Sequence, residues 1–378
     1  MTCDRCEEAR GKGMRYCPYC GEELRDGCPE CERCRAEGAR FCVACGRRLG
    51  TEPPAAPHPI APDTRILLRK IVLLMLPVAV FMLAAETCYL IGGISTVFDW
   101  CADKTMSILG LVPMLVVLGT ISGTALQIAW LLIVAAIVAS LAVLGWQSLH
   151  AFKENEGDIL QRLERMPVST VGAMFSLMLA LNIIVMVIST ALGEPIEVPD
   201  GMASGNVPQA LLDYADAAVW EEVISRIVPV GIPMAIAMLV SRRKGWLKAV
   251  LGGFGMSKFS IALIVISSVI FGFAHMSGWG ISKVVPTFLT GIIMGYLFVR
   301  IGVHASIAFH FLVDYMSVIS YTSLMVPMAL VLLVTMAVGF VCLALTVLEL
   351  KDSKERIEAL PSWIPEAQES IPRRRERD

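Results

Sequence analysis

Residues 170–192 read TVGAMFSLMLALNIIVMVISTAL and contain no charged side chain over 23 positions. A helix of this length can cross the roughly 30 Å hydrocarbon core of a bilayer, because each residue adds about 1.5 Å. A second uncharged run, ALQIAWLLIVAAIVASLAVLGWQS, occupies residues 125–148. These two runs predict an all-α polytopic membrane protein.

The charged residues are concentrated at the two ends of the 378-residue chain. Only 30 of the 66 charged side chains fall within residues 66–349. This is too few to cover the surface of a soluble domain of that size. The formal net charge of −2 also disfavours bulk binding of nucleic acid, so no nucleic-acid partner is expected.

We predict about eight transmembrane helices, and the distribution of positive charges indicates their direction. The apolar stretch 105–122 is interpreted as a re-entrant or surface segment, although a ninth span is the alternative. With this assignment, Arg and Lys gather on one side of the membrane, so both termini are expected in the cytoplasm of a cell-membrane protein. The predicted spans are approximately 66–90, 125–148, 170–192, 212–241, 257–276, 284–301, 303–321 and 325–348.

The first 50 residues contain two copies of one cysteine pattern. In each copy two Cys-x2-Cys pairs are separated by ten residues, an arrangement that suits tetrahedral Zn²⁺ held by four thiolates. A disulfide scaffold is the alternative, but repeated CxxC spacing without an export signal disfavours it. Cys34 is a spare thiol, and a Cys31/Cys34 pair could replace Cys28/Cys31. The predicted structural zinc ligands are Cys3, Cys6, Cys17, Cys20, Cys28, Cys31, Cys42 and Cys45.

This pattern resembles the double zinc ribbon family. Neither half is strongly basic, so contact with a protein partner is favoured over binding of nucleic acid. A proline-rich linker follows the ribbons and separates them from the membrane. The predicted organisation is a double zinc ribbon at 1–50, a linker at 51–65, a transmembrane domain at 66–349 with its functional core at 210–320, and a charged cytoplasmic tail at 350–378.

Ionisable residues inside the predicted spans are costly, and here they cluster. Glu222 and Arg226 are spaced i,i+4 and share a helix face, as do His310 and Asp314. Glu221 lies about 100° from Glu222 around the helix, so it points towards a neighbouring helix. Because consecutive spans alternate in direction, His275 at the end of the next span is expected on the same side as these carboxylates.

This combination of groups is suited to hydrolysis. Two adjacent carboxylates in an apolar site do not both ionise easily, which provides a base and an acid. Hydrolysis needs a base that takes a proton from water and donors aimed where negative charge develops. The same imidazoles and carboxylates could alternatively bind a catalytic Zn²⁺. His304 lies on a different face from His310 and is interpreted as interfacial, while Gly291-x3-Gly295 predicts close packing of two helices.

Three motifs resemble those of the CPBP family of intramembrane proteases (CaaX protease and bacteriocin-processing). They are EExxxR at residues 221–226, FxxxH at 271–275 and HxxxD at 310–314. The resemblance implies an eight-helix fold and hydrolysis of peptide bonds, on prenylated CaaX proteins in eukaryotic relatives. The implied site residues are Glu221 or Glu222 to activate water, His275 to hold it, and His310 with Asp314 to stabilise the oxyanion, with Arg226 beside the carboxylates.

Asp314 departs from the Asn form of the last motif. A carboxylate cannot donate a hydrogen bond unless it is protonated, so orienting His310 is the more natural role for Asp314.

Three classes of function follow from these features. The first is an intramembrane endopeptidase acting on a peptide or a membrane-tethered protein. The second is a non-proteolytic membrane scaffold or immunity-type protein that docks a partner through its zinc ribbons. The third is ion- or proton-coupled transport, because buried Glu and His residues also form proton relays.

Overall fold

The computed structural model describes residues 62–112, 114–195, 206–321 and 325–358, together with Glu7 and Arg33 singly. All nine cysteines of the predicted zinc ribbons lie outside these residues, as does the linker up to residue 61. The zinc sites, including the choice between Cys28 and Cys34, therefore stay predictions.

The described ranges are mainly helical. The two spans Val207–Val240 and Ile281–Arg300 also contain short non-α segments: π-helical turns at Ala217–Glu221 and Val223–Gly231, and a 3-10 turn at Ile281–Lys283. A second 3-10 segment covers Met316–Tyr321. The helices are α1 Pro62–Leu73, α2 Met75–Gly92, α3 Ile94–Cys101, α4 Thr124–Glu154, α5 Ile159–Glu164, α6 Pro167–Ala191, α7 Val207–Asp216, α8 Ile232–Val240, α9 Trp246–Ala249, α10 Lys258–Ala274, α11 Met276–Trp279, α12 Val284–Arg300, α13 Val303–Tyr315 and α14 Met325–Glu358.

In the described ranges, seven helical segments are long and apolar enough to cross a membrane, which confirms the predicted all-α polytopic class. The remaining predicted span, 303–321, corresponds to a shorter apolar helix at Val303–Val318. The seven segments are Thr64–Gly92, Thr124–Glu154, Pro167–Ala191, Val207–Val240, Lys258–Trp279, Ile281–Arg300 and Val326–Glu349.

Two polar contacts show which ends of the spans lie together. The Arg69 guanidinium is 2.8 Å from the Glu349 carboxylate, joining the start of the first span to the end of the last. The Ser282 hydroxyl donates to the Pro195 carbonyl at 3.4 Å, joining two loops predicted on the other side of the membrane. Both contacts agree with the predicted alternation of span direction.

The short helix α13 lies at the centre of the bundle. It packs against α4, α6, α7, α12 and the π-helical turn Ala217–Glu221. Ala305, Phe309 and Leu312 on this helix have no exposed surface. A helix that is apolar on most of its circumference is stable when protein surrounds it, and its polar residues then face other helices and not lipid.

The predicted close-packing motif lies where α12 meets α10. A Cβ atom added at Gly295 would approach the Ile264 side chain to 2.8 Å, and one at Gly291 would approach Ser268 to 3.1 Å. Only glycine therefore allows the two helices to come this close. This contact confirms the packing interpretation and brings α10, which leads into His275, against the following span.

Residues 105–112 and 114–122 form the one β-hairpin of the described ranges. Strands β1 (Thr105–Val112) and β2 (Met114–Ser122) are antiparallel, with a register shift between Ile108 and Leu109. The segment thus does not span as a helix, in agreement with its non-spanning interpretation, although a strand pair was not predicted. The hairpin is tied to the Val207–Val240 span because the Trp220 indole donates to the Leu109 carbonyl at 2.7 Å.

Candidate active site

The paired glutamates lie where the Val207–Val240 span changes from an α-helix to wider π-helical turns. Glu221 ends the first of these turns, and Glu222 stands between it and the second. Pro229 lies inside the second turn, where it has no N–H to donate to an α-helical hydrogen bond. Widened turns of this kind are rare and are frequent at functional sites, because they redirect side chains from the regular helical spacing.

Glu222 is fully buried and surrounded by hydrogen-bond donors and positive charge. Its Oε1 lies 3.0 Å from His310 Nδ1, and its Oε2 accepts a hydrogen bond from the Ser306 hydroxyl. Arg226 Nε is 3.8 Å from the same Oε2 atom. These contacts stabilise an ionised carboxylate where water cannot solvate it.

Glu221 has a different environment, and 27% of its side chain is exposed. Its Oε2 is 3.8 Å from His275 Nε2 and 3.7 Å from His310 Nε2. Both distances are too long for hydrogen bonds, so the oxygen retains lone pairs for another donor such as water. The predicted division between the two carboxylates is therefore present, with Glu222 facing Arg226 and Glu221 facing neighbouring helices.

The ring of His275 is oriented by its own helix. Its Nδ1 lies 2.9 Å from the Phe271 carbonyl, which can only accept. Nδ1 therefore carries a hydrogen, and in a neutral ring Nε2 presents a lone pair on the side of Glu221. The Phe271 ring packs edge-on against His275 with centroids 4.7 Å apart, and Arg226 lies 5.0 Å from the centroid of the same ring.

His310 stands between carboxylates on both sides. Its Nδ1 faces Glu222 at 3.0 Å, and its Nε2 faces Asp314 Oδ2 at 3.3 Å. Both ring nitrogens face acceptors, an environment that favours the doubly protonated imidazolium. The i,i+4 pair predicted from the sequence is thus formed, and Asp314 orients the ring on the side where Glu221 lies.

The buried Arg226 is held by hydroxyl and carbonyl groups. Its Nη1 donates to the Ser225 carbonyl at 2.8 Å and to the Ser267 hydroxyl at 3.2 Å. Ser267 in turn donates to the Ser225 carbonyl. These contacts join the second π-helical turn to α10 and fix the guanidinium behind Glu222.

The structure therefore brings together all six residues predicted for the site. His304 lies apart, as expected, with its Nε2 2.9 Å from the Gln147 amide oxygen. No three His, Cys, Asp or Glu side chains in the described ranges have an arrangement that could hold a metal ion. The catalytic zinc considered above stays an alternative.

Several residues of the cluster escaped the sequence reasoning. Ser306 is one helical turn before His310, a spacing that would have placed it on the same face. The Lys283 Nζ atom lies 4.0 Å from the Trp279 ring centroid. Glu86, a carboxylate inside the first span, was overlooked although the rarity of charges in spans applies to it equally.

Comparison with known proteins supports the resemblance at the level of a family. Residues 203–316 match the family model described as type II CAAX prenyl endopeptidase Rce1-like. The matched segment contains all six predicted site residues and covers less than a third of the chain. No curated protein and no solved structure gave a match.

Proposed function

We propose that this protein is an intramembrane endopeptidase of the CAAX type, in which Glu221 activates the attacking water. The observation that carries this proposal is the position of Glu221 Oε2, a partly exposed carboxylate oxygen between the Nε2 atoms of His275 and His310. The family match over 203–316 supports the reaction class.

Glu221 is the better candidate for the general base because it is the carboxylate that water can reach. Glu222 has no exposed surface, and its oxygens face His310, Ser306 and Arg226. Such partners stabilise the ionised form and leave it little basicity to take a proton. We therefore assign Glu222 the role of holding His310 and Arg226 in place.

In the first step Glu221 accepts a proton from a water molecule, and the water oxygen attacks the carbonyl carbon of the substrate peptide. The lone pair on His275 Nε2 accepts the second hydrogen of that water and so directs its oxygen. The new C–O bond forms as the carbonyl π electrons move to oxygen.

The resulting oxyanion is opposed by the positive charge of the His310 ring, which Glu222 and Asp314 support. Asp314 orients the ring and does not itself donate. Collapse of the tetrahedral intermediate breaks the C–N bond, and the proton held by Glu221 passes to the leaving amine. The products are a carboxylic acid and an amine, and the base is restored.

The substrate class that fits this location is a peptide held at the bilayer, such as a membrane-tethered protein. We also propose that the cysteine-rich segment 1–50 binds two structural zinc ions and docks a protein partner. These N-terminal roles rest on the sequence pattern and not on the site described above.

The central test is cleavage by the full-length protein in proteoliposomes. The two probes are a prenylated CAAX peptide and a non-prenylated, membrane-anchored peptide. We expect Glu221→Gln to lower turnover by about 10²- to 10⁴-fold, since the amide cannot accept the proton. His275→Ala should also lower turnover, whereas Glu156→Gln, an exposed change outside the cluster, should not.

Wild-type turnover by Glu221→Gln would contradict the proposal, as would failure of the wild-type protein to cleave either probe. Proton flux measured in the same vesicles tests the transport alternative. Loss of a cellular phenotype on deletion of residues 1–50, with the phenotype retained in Glu221→Gln, would instead favour the scaffold function.

The proposed orientation has a consequence for access to the site. With cytoplasmic termini, the loops that follow Gly193 and Met276 lie on the outer side of the membrane. These loops flank the end of the bundle from which the Glu-bearing span begins. We expect reporters fused after Gly193 and after Met276 to be active only on the outer side. Cytoplasmic signals at both positions would mean that the orientation is the reverse of the proposed one. The site would then open towards cytosolic CAAX proteins.

A further inference from the structure

A cavity of about 400 Å³ lies between the β-hairpin, α4 and the Val207–Val240 span. Trp220 lines it from the span, and Ala136 lines it from α4. Because Trp220 directly precedes Glu221, the cavity adjoins the π-helical turn that carries the proposed base. The reaction steps proposed above assign no role to this cavity.

The cavity runs along the edge of strand β1. Met106, Ser107 and Ile108 are consecutive residues of this strand, and all three line the cavity. Successive side chains of a strand point to opposite faces of the sheet, so a cavity over one face would be lined by alternate residues. Strand β2 contributes Ile121, the residue paired with Met106. The cavity therefore lies where β1 presents its backbone on the side away from β2.

The backbone at this edge has groups that can pair with a further strand. In an antiparallel pair, the N–H and C=O groups of alternate residues point away from the partner strand. At least one residue of 106–108 therefore directs both groups outward. Within the described ranges, no hydrogen bond from another element reaches the backbone of 106–108. The carbonyl of the next residue, Leu109, accepts the bond from the Trp220 indole.

The depth of the hairpin makes these backbone groups significant. The α4 residues that line the cavity belong to the Thr124–Glu154 span. The Val117 and Leu118 side chains of β2 are 63% and 65% exposed, as apolar side chains in contact with lipid would be. Hydrocarbon offers no hydrogen bonds, so an open sheet edge at this depth is tolerated where it lines a cavity or contacts protein. The edge of β1 meets this condition.

We propose that the substrate peptide binds in this cavity as an extended third strand, paired with the backbone of β1. This inference rests on the proposed endopeptidase function and deepens it, because it names the substrate conformation that the site accepts. Main-chain pairing supplies affinity without depending on the substrate's side chains, which the apolar walls of the cavity can accommodate. The Trp220 bond to Leu109 holds β1 against the span that carries Glu221, so the added strand lies on the side of the proposed base.

The first test is a series of membrane-anchored, non-prenylated peptides, each with one backbone N–H replaced by an N-methyl group. The cleaved bond itself is left unmodified, and the full-length protein is assayed in proteoliposomes. Strand pairing uses the N–H of every second residue, so KM should rise about 2- to 10-fold at alternate positions. The positions between them are the internal control and should leave KM unchanged. A rise at no position, at every position or with a helical period would overturn the proposal.

The second test fills the cavity from α4. Ala136→Phe places a large side chain in the space assigned to the peptide, and we expect KM to rise at least about 10-fold. Ala135→Phe is the matched control, because Ala135 is the neighbouring residue on the same helix and is exposed outside the cavity. Equal KM values in folded Ala136→Phe and Ala135→Phe would contradict binding in the cavity.

A readout independent of turnover is the amide I infrared band of a probe peptide labelled with ¹³C at its backbone carbonyls. The probe is bound to Glu221→Gln, which should not cleave it. We expect the band of a paired β-strand, and its loss when Ala136→Phe is added. A helical band, or the band of the free peptide, would overturn the proposal. This measurement and the N-methyl series decide the matter even if Ala136→Phe fails to fold.

Failure of this inference can be distinguished from failure of the proposed function. If the wild-type protein cleaves the probes without an alternating N-methyl pattern, strand pairing is wrong and the endopeptidase stands. If the wild-type protein cleaves neither probe, the proposed function fails. The amide I band of the bound peptide then decides by itself whether the edge of β1 takes a further strand.

Discussion

The polar cluster has an exposed side and a buried side. The contrast between them distinguishes the residues proposed to react from the residues that hold them in place. On the exposed side, Glu221 and His275 are partly accessible and their facing polar atoms are 3.8 Å apart. On the buried side, Glu222 and Arg226 have no exposed surface, and Ser306 donates to Glu222. His310 contacts both sides. Two adjacent residues of the same type can therefore have different roles, because the helices around them decide which carboxylate water can reach.

The largest effect that tests this contrast is on stability. Glu222→Ala leaves the Arg226 guanidinium and His310 buried without their carboxylate, which should lower the free energy of unfolding by about 3–5 kcal/mol. Glu221→Ala is the matched change at the neighbouring position and should cost far less, because Glu221 makes no hydrogen bond through its carboxylate at the distances observed. Thermal unfolding in lipid or detergent measures both variants.

Equal destabilisation by Glu222→Ala and Glu221→Ala would contradict the distinction between the exposed and the buried carboxylate. It would mean that the two carboxylates share one supporting role. A larger loss for Glu221→Ala would reverse the assignment of the exposed and buried sides.

A smaller effect is expected at Ser306. Ser306→Ala removes a hydrogen bond to an ionised carboxylate, and such bonds contribute about 1.5–3 kcal/mol. Turnover should fall in parallel, because Glu222 then holds His310 less firmly. Ser268→Ala is the control, since its hydroxyl donates to the Ile264 carbonyl of its own helix at 2.7 Å. If Ser306→Ala and Ser268→Ala had the same free energy of unfolding and the same turnover, Ser306 would have no supporting role on the buried side.

The smallest effect concerns the link between the hairpin and the exposed side. Trp220→Phe removes the indole bond to the Leu109 carbonyl, which should cost about 0.5–1.5 kcal/mol of stability. Because Trp220 directly precedes Glu221, cleavage should also slow. Trp130→Phe removes a similar bond, to the Ile94 carbonyl at 3.1 Å, outside the cluster. Trp130→Phe should lose stability without slowing cleavage. If it slowed cleavage as much as Trp220→Phe does, the proposed link between the hairpin and the site would be wrong.

The polytopic fold and the residues of the site were predictable for the same physical reason. Long uncharged runs have few alternatives to a membrane helix, and any charge within them stands out. Helical spacing alone paired Glu222 with Arg226 and His310 with Asp314. The hairpin was not predictable, because a short apolar run such as 105–122 is compatible with either a helix or a strand.

The π-helical turns and the partners of Glu222 required the tertiary structure. Pro229 is compatible with a distorted helix, but the identity of the turns in this span depends on how α10 and α13 pack against it. Ser306 belongs to a helix distant in sequence from the paired glutamates. Its contact with Glu222 appears only when the two helices are placed side by side.

The sequence by itself determined that this chain crosses a membrane, and it indicated a few ionisable residues within the spans as the candidate site, since hydrocarbon makes each such residue costly. The tertiary structure alone decided which of the two glutamates faces water and which is enclosed. A helical angle of about 100° separates neighbouring side chains but does not say what lies on either side. That depends on the packing of α10 and α13 around the paired carboxylates.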